Sequence, residues 1–247
     1  MFPIKKIVLA VFLLCFYVQG QQEFYELRSY ELTFRRDSNI LHNYLKDALI
    51  PAMERQGVEA IGVFREWRVM PDRIYVLIPY ESMEQFLKIK NGLINDEVYV
   101  DSARPYLKAK VEEFPFRDYT SSFFIAFAGM PKIAKPDDSA RFFELRTYLS
   151  YNEDALRRKV KMFNESEFEI FEEVGLNPLF FGEQLIGEGM PSLTYFLAFE
   201  SFEKHQESWV KFLRHPEWIR ILNLEEYSNT VSHIETKYLE RLPYSKL

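Results

Sequence analysis

Cysteine is almost absent. The single Cys15 falls in the N-terminal segment, so the rest of the chain can form no disulfide and perform no thiolate chemistry. Positive charge is also in deficit: 31 Lys and Arg face 37 Asp and Glu, a formal net charge of −6. Such a surface repels phosphate backbones and anionic headgroups, which argues against nucleic acid and membrane surfaces as partners. No Gly-rich phosphate loop, nucleophile elbow or zinc-protease helix is present. The histidines, His42, His205, His215 and His233, never stand at metal-ligand spacing with one another, so no metal site is expected.

The N-terminus has its own character. In MFPIKKIVLAVFLLCFYVQG, Lys5 and Lys6 precede the apolar run Ile7–Val18, and Val18 and Gly20 suit cleavage before Gln21. The run is shorter than the roughly 20 residues of a membrane span. Residues 1–20 therefore read as a signal peptide, with the mature protein exported, periplasmic or secreted, and not held in a membrane. Leu14 before Cys15 rules against a lipoprotein site. Removing Lys5 and Lys6 from the 31 basic residues leaves 29 against 37 acidic ones, a net charge of −8. With no disulfides, stability must come from a core, and 23 Phe, 15 Tyr and 3 Trp supply it.

The chain repeats itself. FYELRSY (24–30) and FFELRTY (142–148) lie 118 residues apart, as do Gly57 and Gly175. YESMEQF (80–86) and FESFEKH (199–205) follow at 119, and DEVY (96–99) and PEWI (216–219) at 120. A slow drift in one direction is the mark of small loop insertions in a duplicated domain. Residues 21–128 form a first copy and 142–247 a second, and 129–141 (GMPKIAKPDDSAR) reads as a linker.

Each copy has the same coarse plan. The first strand alternates with period two. A helix follows, over about 38–56 in the first copy and 152–174 in the second, closed by Gly57 and Gly175. Pro51 should kink or shorten the first of these. Two strands (60–69 and 73–79; 178–186 and 193–199) precede a helix capped by Ser82 or Ser201, and a strand near 120–128 or 230–239 ends the copy. This β-α-β-β-α-β order gives an α+β, ferredoxin-like arrangement with helices on one sheet face. The sister copy is the simplest cover for the other face, making two tandem copies a pseudo-dimeric α/β barrel. An obligate dimer is then unnecessary, though further association through strand edges is expected to be open to it.

The E-L-R-[ST]-Y strand, the glycine after the first helix, the aromatic-E-S-[MF]-E turn and the closing LERLPYS (239–245) together resemble the NIPSNAP family of the dimeric α/β-barrel superfamily. The resemblance spans both copies and implies the fold. The mitochondrial roles of its animal members do not transfer to an exported chain. Relatives on the same fold include cofactor-independent monooxygenases, haem-dependent enzymes and isomerases, among which fold cannot choose.

The candidate ligand-binding residues are the charged rows of the first strands, Glu26, Arg28 and Tyr30 with Glu144, Arg146 and Tyr148. Taking Leu27 and Leu145 as the helix-facing side, these rows are expected to face a shared interior. There they either form a salt-bridge lattice or hold a small organic ligand between the sheets. Arg68, with Arg65, is expected to make one side of that pocket cationic, opposite Phe180 and Phe181, which suits an amphipathic organic anion. No cofactor is expected; a haem held by one axial histidine would use His42 or His233. An enzyme of oxygenase or isomerase type, with Tyr30 or Tyr148 assisting proton transfer, and an interaction module with a filled barrel are the competing readings.

Overall fold

Strand-forming aromatic and β-branched runs separated by Gly- and Pro-containing turns produce four strands per copy: β1 (Phe24–Leu32), β2 (Gly62–Glu66), β3 (Arg73–Tyr80), β4 (Phe116–Ala126), then β5 (Phe142–Leu149), β6 (Asn177–Ile186), β7 (Ser192–Phe199) and β8 (His233–Arg241). The structure is a computed structural model that describes residues 21–247, so the expected signal peptide lies outside the described residues. Neighbouring strands are antiparallel and run β1-β3-β2-β8-β5-β7-β6-β4 around a closed barrel. Each copy thus contributes the ferredoxin-like order 4-1-3-2. Advancing four strands carries every strand onto its copy, so the two copies are related by a twofold along the barrel axis. The seams are β2–β8, with Arg65 opposite Glu240, and β4–β6, with Ile125 opposite Glu183. Both sheet edges are consumed by these seams, which corrects the expectation of association through open edges.

The helices lie outside the ring. The first copy carries α1 (Asn39–Asn43), a wide π-type stretch Tyr44–Leu49 and α2 (Ile50–Arg55) as one continuous run, then α3 (Met83–Gly92), α4 (Glu97–Ser102) and α5 (Arg104–Leu107). The second copy carries α6 (Glu153–Met162), the π-type stretch Phe163–Glu167, α7 (Phe168–Val174), α8 (Phe202–Arg214) and α9 (Pro216–Leu222). The wide turn recurs 119 residues on with no proline there, so the irregularity near Pro51 belongs to the repeat and not to that residue. Ser82 and Ser201 cap α3 and α8 as expected. Asp96 and His215 cap α4 and α9, which puts that pair at 119 rather than 120.

Gly57 and Gly175 follow their helices at φ +81° and +77°. A Cβ at Gly175 would meet only Ser208 Oγ at 3.4 Å, so space is adequate and the left-handed backbone alone demands glycine. Gly175→Ala should lower the unfolding free energy by about 1 kcal/mol, read from the denaturant midpoint at unchanged slope.

Three cores result. The lumen holds Tyr25, Phe64, Phe124, Phe143, Phe180 and Phe196, all essentially inaccessible, with ring centroids 4.7 Å apart for Phe64–Phe196 and 4.9 Å for Tyr25–Phe180. The other two lie between each half of the ring and its helices. The linker closes one barrel end: Glu23 N donates to Pro131 O, Ala134 N donates to Leu179 O, and Ala140 and the C-terminal Leu247 pack into the lumen core.

This packing inverts the expected strand parity. Tyr25 and Leu27 of β1 and Phe143 and Leu145 of β5 point into the lumen, while Tyr30 and Tyr148 belong to the helix-side cores. Both faces of these strands are rich in large apolar groups, and the narrow lumen takes the set that interlocks across the axis.

Candidate functional site beneath the helix layer

The two Glu-Arg-Tyr rows therefore do not share an interior. Each lies between its own half of the barrel and its own helices, and the two have diverged.

In the first row the carboxylate is saturated. Arg28 Nε and Nη2 donate to Glu26 Oε1 and Oε2 at 2.8 and 3.0 Å, Ser121 donates to Oε1 at 2.9 Å, and Tyr80 donates to Oε2 at 3.1 Å. Burial pushes the Glu26 carboxyl up, but the Arg28 charge and the hydrogen bonds from Arg28, Ser121 and Tyr80 outweigh it and hold it below its ordinary 4.5. A depressed folded-state pKa contributes stability that is complete above the unfolded value and disappears as pH falls through the folded one. Thermal melts should show stability falling from about pH 5 downward, and Glu26→Gln should remove that part of the pH dependence.

The second row begins the same way and ends differently. Glu144 is fully buried, and its Oε2 accepts from Trp209 Nε1 at 2.7 Å and from His205 Nε2 at 2.9 Å. Those donors displace the fork-on-fork pairing of the first copy. Arg146 keeps an ion pair of 2.9 Å from Nε to Glu144 Oε1, aimed too poorly for a good hydrogen bond. Its Nη1 reaches only the Tyr148 hydroxyl, at 3.5 Å. Tyr195 donates to that hydroxyl at 3.0 Å, and the guanidinium lies 4.1 Å over the Trp209 ring. The Tyr195 hydroxyl also engages the guanidinium, so its outer edge meets phenol hydroxyls and no second carboxylate among the described residues. The Arg146 side chain is 20% exposed, close to the 15% of Arg28. Nearby, Lys159 pairs with Glu167 and sits 4.4 Å over Phe163.

Burial pulls the Arg146 guanidinium down, but Tyr195, Tyr148 and Glu144 together raise it, so it stays charged. Burial pushes the Tyr195 hydroxyl well above the phenol range, with Tyr148 adding to it. Tyr195 is therefore a neutral donor at ordinary pH and unsuited to act as a base. His205 Nδ1 is buried without a partner.

Sequence reasoning missed His205, Trp209 and Tyr195. At the matching places in the first copy stand Phe86, Lys90 and Val76. That comparison between copies was the available signal.

The other candidates disperse. Arg68 is exposed, at φ +58°, and stacks on Trp67 at 4.1 Å, while Arg65 pairs with Glu240 on the outside. Phe180 enters the lumen and Phe181 the helix-side core, so the expected pocket between cationic and aromatic walls is not formed. His42 Nδ1 lies 2.7 Å from the Tyr244 hydroxyl and His233 is in solvent. A space between the sheets does exist. It is a cavity of about 530 Å³ at the open barrel end, lined mainly by lumen-facing residues and by none of Glu26, Arg28, Tyr30, Glu144, Arg146 and Tyr148.

Comparison with known proteins agrees with this architecture. Residues 143–246, the second copy, match the NIPSNAP family model. Among solved structures, a monooxygenase candidate from Fusobacterium nucleatum superposes with a TM-score of 0.58 at 9% identity, covering 90% of this chain and 93% of that one. A second monooxygenase candidate, from Lactobacillus acidophilus, gives 0.57 at 11%, covering 89% and 94%. A NIPSNAP family protein of unknown function from Agrobacterium tumefaciens, 19% identical, covers 44% of this chain and 94% of its own at a TM-score of 0.38. At these identities the likeness concerns the fold alone. No curated protein matches the chain.

Proposed function

We propose, because residues 143–246 match the NIPSNAP family model and sit in a duplicated α/β barrel, that this chain is an exported binding protein holding a small organic carboxylate at Arg146. One observation carries the reading: Arg28 forks Nε and Nη2 onto both oxygens of Glu26, whereas Arg146 has lost that fork because His205 and Trp209 have taken its partner's second oxygen. A guanidinium edge matches a carboxylate's two oxygens. Tyr148 supplies a hydroxyl beside it, and the half-buried Trp209 offers aromatic surface to an apolar body.

An enzyme reading of the same site is favoured by the monooxygenase descriptions of the two fold neighbours. Arg146 would then stabilise developing negative charge. Mass spectrometry of small molecules released from the purified protein after incubation in air separates the readings. One unchanged carboxylate supports binding, and an accumulating oxygenated or isomerised companion supports catalysis. No carboxylate, together with no uptake of added benzoate, contradicts both. Export rests on residues 1–20. N-terminal sequencing after expression of the full chain should begin at Gln21, and an intact Met1 would contradict it.

A further inference from the structure

We infer that the open end of the barrel is a second binding site, one that takes a neutral, hydroxyl-rich molecule such as a monosaccharide. The cavity there measures about 530 Å³, within the range of small-molecule sites. Its floor is apolar, formed by Leu27, Leu145 and Phe124 where the lumen core ends. Its wall carries small hydroxyls: Ser29, Thr120 and Ser122 from the first copy, and from the second Thr147, whose hydroxyl lies 2.8 Å from that of the buried Thr194. An apolar floor under a hydroxyl wall suits a sugar ring, which has an apolar face and a rim of hydroxyls.

Charge decides against an anion, because Glu188 lines the cavity with no ion-pair partner among the described residues. Glu31 is bonded to Arg73 at 2.9 Å, Asp118 to Arg117 at 2.8 Å and Glu235 to Lys237 at 3.0 Å, so these rim charges are neutralised in pairs. Deeper in, Gln184 is 95% buried, with its amide nitrogen donating to Glu188 O at 2.8 Å. Its amide oxygen accepts no hydrogen bond among the described residues, and the residue lines the cavity. The lip closes tightly here. A Cβ on Gly187 would fall 2.5 Å from Ser122 Oγ and 2.9 Å from Gln184 Nε2.

The twofold is broken at this place. In strand register Ser29 faces Tyr75 and Thr120, whereas its counterpart Thr147 faces Thr194 and Glu235. Packing alone gives no reason to replace an aromatic by a hydroxyl across the axis. A ligand that lacks twofold symmetry does.

The test is saturation-transfer NMR on the mature protein at millimolar glucose, galactose, mannose and myo-inositol, with acetate and tetramethylammonium alongside. Transfer to at least one of the four neutral probes is expected. It should vanish in Ser122→Phe, which fills the cavity. Thr194→Val, nearly isosteric, should weaken it roughly fivefold should the bulkier variant fail to fold. Arg146→Met should leave it unchanged, so this site stands or falls separately from the carboxylate reading. Transfer to none of the four, transfer indifferent to the wall variants, or transfer to acetate or tetramethylammonium alone would each overturn the proposal.

Discussion

Glu26→Ala should destabilise the protein by about 3–5 kcal/mol, a fall of roughly 10 °C in melting temperature for a chain of this size. The reason is the number of groups that depend on one carboxylate. Arg28, Ser121 and Tyr80 all donate to it, and Arg28 lies under the helix layer with no other carboxylate hydrogen-bonded to it among the described residues. Removing Glu26 leaves a cation with little access to water and strands two hydroxyls. The double variant Glu26→Leu/Arg28→Met should recover most of the loss, because an apolar pair of similar volume does not need the hydrogen bonds. Calorimetric melts of the single and double variants decide the matter. A loss below about 1 kcal/mol for the single variant would mean that the row is hydrated and not a structural lattice.

Arg146→Met is expected to act on binding instead. Loss of a charge-assisted, two-pronged contact in a partly desolvated place weakens carboxylate affinity by roughly 30-fold or more. Benzoate is a suitable probe, because Trp209 reports it by fluorescence from 4.1 Å beneath the guanidinium. Arg146→Lys should fail to restore affinity, since an ammonium cannot present two parallel donors. The stability cost should be smaller than that of Arg28→Met, because Glu144 retains His205 and Trp209. Quenching that survives unchanged in Arg146→Met would place benzoate elsewhere.

How far the residues foretold this depends on the range of the interactions. Duplication was legible because FYELRSY and FFELRTY, the two glycines and the two serine caps preserve local structure at a spacing that drifts only from 118 to 119, and each copy keeps the order 4-1-3-2. Which face of β1 looks inward was not legible. Phe24 and Tyr30 on one side match Tyr25 and Leu27 on the other in apolar bulk, and β3 is buried on both faces from Ile74 to Tyr80. Only the packing of Phe64, Phe124 and Phe180 across the axis settles it. The rows were picked out from the sequence and misplaced in the fold. Their divergence is a property of long-range contact: His205 is 61 residues from Glu144, and Trp209 is 65. Read alone, His205 is one more core-edge histidine. Set against Phe86, it is the change that frees Arg146.

Benzoate titration of Arg28→Met and Arg146→Met side by side tests that contrast most directly. The predicted result is wild-type affinity with lowered melting temperature for Arg28→Met, and lost affinity with a smaller change in melting for Arg146→Met. Equal loss of affinity in both, or loss in Arg28→Met alone, would contradict the division of the two rows into a closed lattice and an open site.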